Sequence, residues 1–279
     1  MLLTESNAAE VARFSPRHLA FVIPLMALHL GCLAVFIVGV SPLAVTLFVV
    51  TTFVQVFGIT AGFHRLLAHR SYRTSRPLRL VIALMGVLAG QNGPLWWVAH
   101  HRHHHSHADR EGDTHSPRQG FFWGHMGWLF SERSIPLRDE LVRDLARLPE
   151  MVFLERYYYL VTLGYAGVLF MTGGWQLVVW GSVMSTVFTY HAIWSANSVC
   201  HRFGSRRFPT NDDSRNNFLV ALVTLGDGWH HNHHFSPYSV RHGFRWWEID
   251  VNYMVLRALA ALGLVWDLKL PPERVYQSS

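Results

Sequence analysis

Charge is what this chain has least of. Of its 279 residues only 15% are Asp, Glu, Lys or Arg, where a soluble domain carries nearer a quarter. Lysine is almost missing. Lys269 is the only one, so the formal net charge of +6 rests on arginine. Cysteine is scarce too: Cys32 sits in an apolar run and Cys200 beside a histidine, which excludes a disulfide framework and a cysteine-based metal site. The stretch Met1–Arg17 is polar and mixed in charge, and lacks the cationic start, short apolar core and small-residue cleavage site of a secretory signal. No cytochrome, ferredoxin or flavin motif is visible, nor any low-complexity segment. Half of the residues are hydrophobic, which excludes a nucleic-acid binder and points to an integral membrane protein. The basic excess suits anionic headgroups or an acidic carrier.

The uncharged stretches divide the chain. None of the 47 residues 18–64 is charged, nor any of the 45 residues 157–201. One membrane-crossing helix needs about 20 apolar residues, so each stretch is long enough for two. Gly39-Val40-Ser41-Pro42 and Thr172-Gly173-Gly174 supply the turns. Spans are expected at 19–38, 43–62, 157–171 and 175–195. The two hairpins return to the side they left, and all arginine lies on that side, which makes it cytoplasmic. The expected fold is therefore all-α: four transmembrane helices in two hairpins (19–62 and 157–195) under a cytoplasmic helical cap (63–156 and 196–279), in a single domain of residues 1–279.

Leu80–Ala99 also lacks charge, but Gly86, Gly90, Gly93 and Pro94 interrupt it around Gln91-Asn92. It reads as a buried or re-entrant segment, since crossing would put the flanking histidines on opposite faces. Broken backbone at that depth is tolerated only against protein or a cavity. Gly120–Trp123 and Trp128–Phe130 read as headgroup-level aromatics. Asp139–Leu148 and Tyr253–Trp266 read as amphipathic helices, and Phe218–Leu225 as too short to cross.

Histidine is abundant, with 19 in all. Four stretches stand just beyond the apolar segments: His64-Arg-Leu-Leu-Ala-His69, His100-His101-Arg102-His103-His104-His105, Asn197-Ser-Val-Cys-His201 and His230-His231-Asn232-His233-His234. Positions i, i+3 and i+4 share a helix face, so His101/His104/His105 and His230/His233/His234 could each offer three imidazoles to one metal. His100/His103/His104 fits as well, and His107 could join it, so spacing leaves the register open. His64 and His69, five apart, diverge by about 140° on an ideal helix and should face different metals unless the helix ends between them. Asp109, Asp113 and Asp227 are candidates to orient imidazoles, or are plain solvated carboxylates. His18, His29, His115, His125, His191 and His242 read as interfacial polar residues.

All-imidazole ligation suits iron, zinc or copper. A structural zinc needs four ligands; nine suggests two metals with room for a small molecule. Beside a bilayer, two redox metals suit dioxygen activation on a long apolar substrate. A metal-transporting or metal-storing membrane protein is the rival class, but transport would place ionisable groups inside the spans, which hold only His29 and His191. A membrane cytochrome with axial histidines would leave most rim histidines unexplained.

The three boxes His64–His69, His101–His105 and His230–His234 resemble those of the stearoyl-CoA desaturase family. Gly58–Phe63, Gly93-Pro-Leu-Trp-Trp97, Gly120–Trp128 and Asn197–Gly204 are similar to their surroundings in that family, and its bacterial members share the Trp-Trp and His-rich second box. The resemblance implies a cytoplasmic di-iron centre on His64, His69, His101, His104, His105, His201, His230, His233 and His234, with Asn197 reaching one iron through water. It implies Gln91 and Trp97 near the bend of an acyl tunnel. It implies a reaction in which dioxygen and two electrons from a separate donor (ferredoxin, b-type cytochrome or flavin reductase) convert a saturated acyl chain to its Δ9 cis form. A hydroxylase or acetylenase on the same irons is the sister reading, and a multi-pass bacterial inner-membrane location is implied. One departure stands out. Where animal members hold coenzyme A with an Arg-Asp pair, this chain has Ala99 and His100, which leaves acyl-CoA, acyl carrier protein and acyl-lipid all open.

Overall fold

The structure, a computed structural model, describes residues 16–277. Most of Met1–Arg17 and the side chain of His18 lie outside the described residues. Helix α1 (Pro16–Gly31) carries Pro24 in its interior and runs through a 3₁₀ turn, Cys32–Ala34, into α2 (Val35–Val38). Gly39, at φ 68°, ends it. Ser41 then caps α3 (Pro42–Phe57): its Oγ accepts the Ala44 N–H at 3.2 Å, with Pro42 in the first turn where a missing N–H does no harm. Instead of stopping, α3 widens into a π-helical segment, Gly58–Ala68.

Strand β1 (Arg73–Thr74) leads to α4 (Arg76–Val87) and then α5 (Pro94–His107). The break between them, in the segment read as re-entrant, uses left-handed backbone at Gly90 (φ 65°) and Asn92 (φ 63°). The short helix α6 (Phe121–His125) follows. Helix α7 (Pro149–Val178) starts earlier than the span expected at 157 and is broken at Gly173–Gly174, where Gly174 takes φ 65°. A π-helical turn, Val179–Met184, joins it to α8 (Ser185–Ser198). The cap is closed by α9 (Phe218–Val223), α10 (His230–Phe235), α11 (Val251–Ala261) and α12 (Arg274–Gln277), with strand β2 (Val265–Trp266) paired antiparallel to β1.

Two expected helices differ. Asp139–Leu148 is a 3₁₀ turn, Asp139–Leu141, followed by further tight turns; Asp144 there is held by Arg70 and Arg102 while Val142 and Leu145 enter the core. The helix read at Tyr253–Trp266 starts at Val251, because Asp250 caps it, and ends at Ala261, because Gly263 turns left-handed and Val265–Trp266 forms β2. Among the described residues the fold is thus helical with one two-residue strand pair.

The two glycine turns meet at one end of the molecule. Ser41 donates to Gln176 Oε1 at 2.7 Å, Gln176 Nε2 to the Val38 carbonyl at 2.8 Å, and Trp180 Nε1 to the Gly39 carbonyl at 2.8 Å. Deeper in the bundle, Gln55 on α3 is fully buried and donates to Thr186 on α8 at 3.0 Å, while Thr189 donates back to it at 2.9 Å. Helix α4 lies against the π segment so closely that a Cβ on Gly58 would fall 2.2 Å from the Met85–Gly86 backbone. Two helical runs, Pro42–Ala68 and Pro149–Ser198, are long and apolar enough to cross a bilayer, the second through its break. Phe36, Ile37, Leu163 and Met171 point outward, an apolar exterior that lipid would cover.

Candidate metal centre

All nine histidines singled out by the boxes converge into two groups. In the first, one ring nitrogen each from His64, His69, His101, His105 and His233 lies within 4.8 Å of every other; His104, His201, His230 and His234 form the second. His100, His103 and His107 belong to neither group: His103 and His107 stack on each other at 4.3 Å, and His100 Nδ1 donates to the Trp96 carbonyl. The i, i+4 pairs His101/His105 and His230/His234 each stay in one group, while His104 and His233, at i+3, cross to the other group. The expected three-to-a-metal triplets are therefore split.

His64 and His69 share a group, against the divergence computed for an ideal α-helix. The segment carrying them is π-helical, and the His69 N–H donates to the His64 carbonyl at 3.1 Å, an i to i+5 bond. The wider turn brings residues five apart back onto one face.

Carboxylates fix the imidazole tautomers. His64 Nδ1 donates to Asp227 at 2.6 Å, His201 Nδ1 to Asp109 at 2.6 Å, His104 Nδ1 to Asp113 at 3.1 Å and His234 Nδ1 to Asp212 at 3.1 Å. A neutral imidazole whose Nδ1–H is used in this way presents a bare lone pair at Nε2. His104, His201 and His234 present three such lone pairs to one small space. His230 Nε2 lies 3.1 Å from both His201 Nε2 and His234 Nε2 and can donate to only one, and the buried His104 Nε2 has no partner. A cation is what satisfies this arrangement, and neutral nitrogen donors are what a transition metal takes. Burial favours the neutral form of most of them, pushing His64 down to about 3 and His234 to about 4, and His69, His101, His105, His230 and His233 well below their ordinary value. His104 goes the other way, because Asp113, Asp109 and Asp212 outweigh its burial and raise it, so a cation would have to displace its proton. Burial would push the carboxyls up, but the bonded imidazoles hold Asp109, Asp113 and Asp212 well below the usual carboxylate range.

The arginines inside the boxes are structural. Arg65 is fully buried and reaches Asp227 at 2.7 Å and Asp250 at 3.2 Å. Arg102 donates to the Leu67 and Ala68 carbonyls at the end of the π segment and to Asp144, tying the second box to the first. In the third box His231 and Asn232 face away from the centre: Asn232 bonds Asn216, Glu248 and the His242 carbonyl, and His231 accepts the Phe208 N–H.

Several residues escaped the reading of the sequence. Asp212 was not singled out, although it holds His234 as Asp227 holds His64; its only signal is placement in a loop between boxes. His115 and His242 are not interfacial but buried, ring to ring with His104 at 4.4 Å and with His233 at 4.6 Å. His29, His191 and His125 form a bonded chain, 3.3 Å and 2.9 Å between rings, ending on Ser198.

A cavity of about 620 Å³ leads from the centre into the bundle. Gln91, Trp97, His101 and Asn197 line it near the metal groups, and Ala166, Val178 and Val183 line it deeper in. Trp97 Nε1 donates to Gln91 at 3.2 Å. Asn197 is placed on the cavity wall at the end of α8.

A helical scaffold with paired imidazole clusters and an apolar cavity defines a protein built to hold metal beside a hydrocarbon-sized space. Residues 40–267 match the family model described as fatty acid desaturase, and the chain belongs to that family. It is 40% identical over 261 residues to a protein of Anabaena variabilis named sn-1 stearoyl-lipid 9-desaturase, covering 89% of this chain and 93% of that one. A Synechocystis protein of the same name is 42% identical over 219 residues, 77% of this chain and 68% of that one. A protein of Anemone leveillei named acyl-CoA C20 Delta5-desaturase is 42% identical over 221 residues, 78% and 71% of the two chains. The chain is an oxidoreductase, an acyl desaturase.

Proposed function

We propose that this chain places a cis double bond at Δ9 of a saturated acyl chain, using two iron ions held by the nine converging histidines. The observation that carries this reading is the trio of carboxylate-fixed imidazoles, His104, His201 and His234, aiming lone pairs at one point with His230. Two relatives named as 9-desaturases support the position. The first group of five imidazoles would hold one ion. The second group of four would hold the other, with Asn197 completing a coordination position through water. When bound, the pair of irons would supply the activation of dioxygen that breaks unactivated C–H bonds.

The protein's own part is positioning and exclusion. The cavity follows the end of the π-helical turn and α8, from Val183 to Asn197, roughly 20 Å of helix. Spread along that length, its volume leaves room for one extended chain and little water. Gln91 and Trp97, joined by their hydrogen bond, would hold the chain where it passes the metals. The electrons come from a separate donor protein: a ferredoxin, a b-type cytochrome or a flavin reductase. The whole chain, residues 1–279, works as one membrane unit with four spans in two hairpins. The break at Gly173–Gly174, the apolar helix Val22–Val38 and the meeting of the two glycine turns support that topology. The arginine-bearing side, with the metal centre, faces the cytoplasm of a bacterial inner membrane.

The test is the fatty-acid profile of a bacterial host expressing the chain, by gas chromatography with double-bond location. A new Δ9 monounsaturated acid, absent with His104→Ala, is the expected result. A hydroxylated or acetylenic product would keep the metals and change the reaction, and unchanged output from His104→Ala would remove His104 from the ligand set.

A further inference from the structure

One face of the cap is crowded with arginine. The segment 202–215 carries Arg202, Arg206, Arg207 and Arg215, and Arg118 joins it from the loop before α6. Arg118, Arg202 and Arg215 line a pocket together with Pro117, Phe203 and Asp213. The same pocket is lined by His201, only 3% exposed and one of the four imidazoles of the second group. The supports of the centre also fix this rim. Arg118 donates to the Asp109 carbonyl at 2.7 Å and to the Asp213 carboxylate at 2.6 Å. The Asp213 N–H in turn donates to the Asp109 carboxylate at 2.8 Å, and that carboxylate holds His201.

Charge at this mouth is one-sided. Arg118 and Arg206 share Asp213, at 2.6 and 3.9 Å. Arg202 and Arg215 have no carboxylate partner among the described residues; they donate to the Pro117 and Gly204 carbonyls. Four guanidiniums thus face one carboxylate, since Asp212 next to it is turned onto His234 and Arg207 is taken up by Glu248. Phe203 is 58% exposed among them, with the exposed Phe121 ring 6.4 Å away. Arginine around an exposed aromatic is the make-up of a protein-binding patch. A fixed positive rim steers an acidic partner and sets its orientation.

We propose that an acidic one-electron carrier protein docks on this arginine rim, against Phe203, and that its electrons enter the centre from the His201 side, at the second histidine group. This rests on the desaturase reading, whose reaction calls for a separate donor, and adds the charge of that donor and its place of docking. Two carriers each lose one electron for every double bond formed. Those two electrons, two protons from solvent and the two hydrogens taken from the acyl chain reduce dioxygen to two waters. Anionic headgroups would also be drawn to arginine, but they give no reason for a pocket lined by an imidazole of the metal group.

The test uses the metal-loaded full chain in nanodiscs of neutral phosphatidylcholine. The probes are a plant-type 2Fe–2S ferredoxin and the soluble haem domain of a b-type cytochrome, both acidic. Binding is read by fluorescence titration and oxidation of the reduced carrier by stopped flow. The wild type is expected to bind at least one of them, more weakly as salt rises. Arg202→Glu and Arg206→Glu reverse charges on the rim, and each is expected to raise Kd about tenfold, and KM with it. Metal content and melting temperature should not move. Arg73→Glu, which reverses an exposed charge on β1, is expected to leave binding unchanged. Binding of neither carrier, wild-type Kd in both rim variants, or an equal loss in Arg73→Glu would overturn the proposal. Retention of anionic phosphatidylglycerol that falls in both rim variants while carrier binding does not would also overturn it and assign the rim to headgroups. A carrier bound and oxidised by the wild type and lost in Arg202→Glu, with no new double bond formed, would support the docking surface and count against the desaturase reading.

Discussion

At the scale of single residues, the centre depends on groups that touch no metal position. Asp212 holds His234, and Asp109, Asp113 and Asp227 hold His201, His104 and His64. Losing such a partner typically weakens metal binding 10–100-fold, because the ring is no longer locked in the right tautomer. Asp212→Asn is therefore expected to bind iron about 10–100-fold more weakly while folding normally, read by competition with a chelator. Wild-type affinity would show that Asp212 only ties down its loop. The sequence made the four histidine stretches visible, because runs so dense in one residue type cannot hide, although spacing alone left the register of the second open. It hid Asp212 and Arg65. A carboxylate eighteen residues before box three has no periodic relation to it, and an arginine inside a box looks like a solvated charge until its two buried aspartates are seen.

At the scale of elements, helix geometry decides which histidines fall in the same group. The α-helical spacing i+4 keeps His101 with His105 and His230 with His234, and i+3 sends the third imidazole across. The π segment does for i+5 what the α-helix does for i+4, bringing His64 and His69 together. No residue in Gly58–Ala68 announces a π-helix, because the widening is imposed by packing. Gly58, Gly62 and Gly86 let α4 approach the segment at backbone distance. Gly58→Ala would drive a methyl into the Met85–Gly86 backbone and is expected to destabilise the fold by about 1–3 kcal/mol or more. Thermal unfolding in detergent would register this, and a wild-type midpoint would mean that α4 can shift without cost.

A second element-scale expectation concerns the joint between α4 and α7. Burial pushes Glu150 up, but hydrogen bonds from Arg76, from its own helix's backbone and from Arg79 outweigh this and hold it at about 2. A carboxyl with a depressed value stabilises the fold at pH above its unfolded value and loses that contribution as pH falls towards the folded one. Arg76 is mostly exposed, so solvent screening keeps the effect modest. Glu150→Gln is expected to unfold below the wild-type temperature near neutrality, with the difference shrinking as pH falls from about 5 towards 2. A gap that stays constant through that window would show that the charge contributes nothing.

At the scale of the whole molecule, the sequence was most legible where it was least varied. The two uncharged stretches and their glycine turns mark helical runs that the fold contains, and the interrupted segment 80–99 turns back so that boxes one and two meet. What composition could not convey was tertiary: tight turns where Asp139–Leu148 looked helical, and a strand at Val265–Trp266 where the helix was expected to run on beyond Ala261. These come from contacts between segments far apart in the chain, such as Arg102 and Arg70 with Asp144 or Arg73 with Trp266, which no local pattern records.

The claim on which the rest depends is that two irons sit in the two histidine groups. It is tested most directly by counting metals in the purified full chain after iron-replete expression, together with the Mössbauer spectrum. Two irons per chain are expected, all in nitrogen-rich sites, with loss of at least one in His104→Ala. Zinc alone, or iron in undiminished amount in that variant, would contradict the claim.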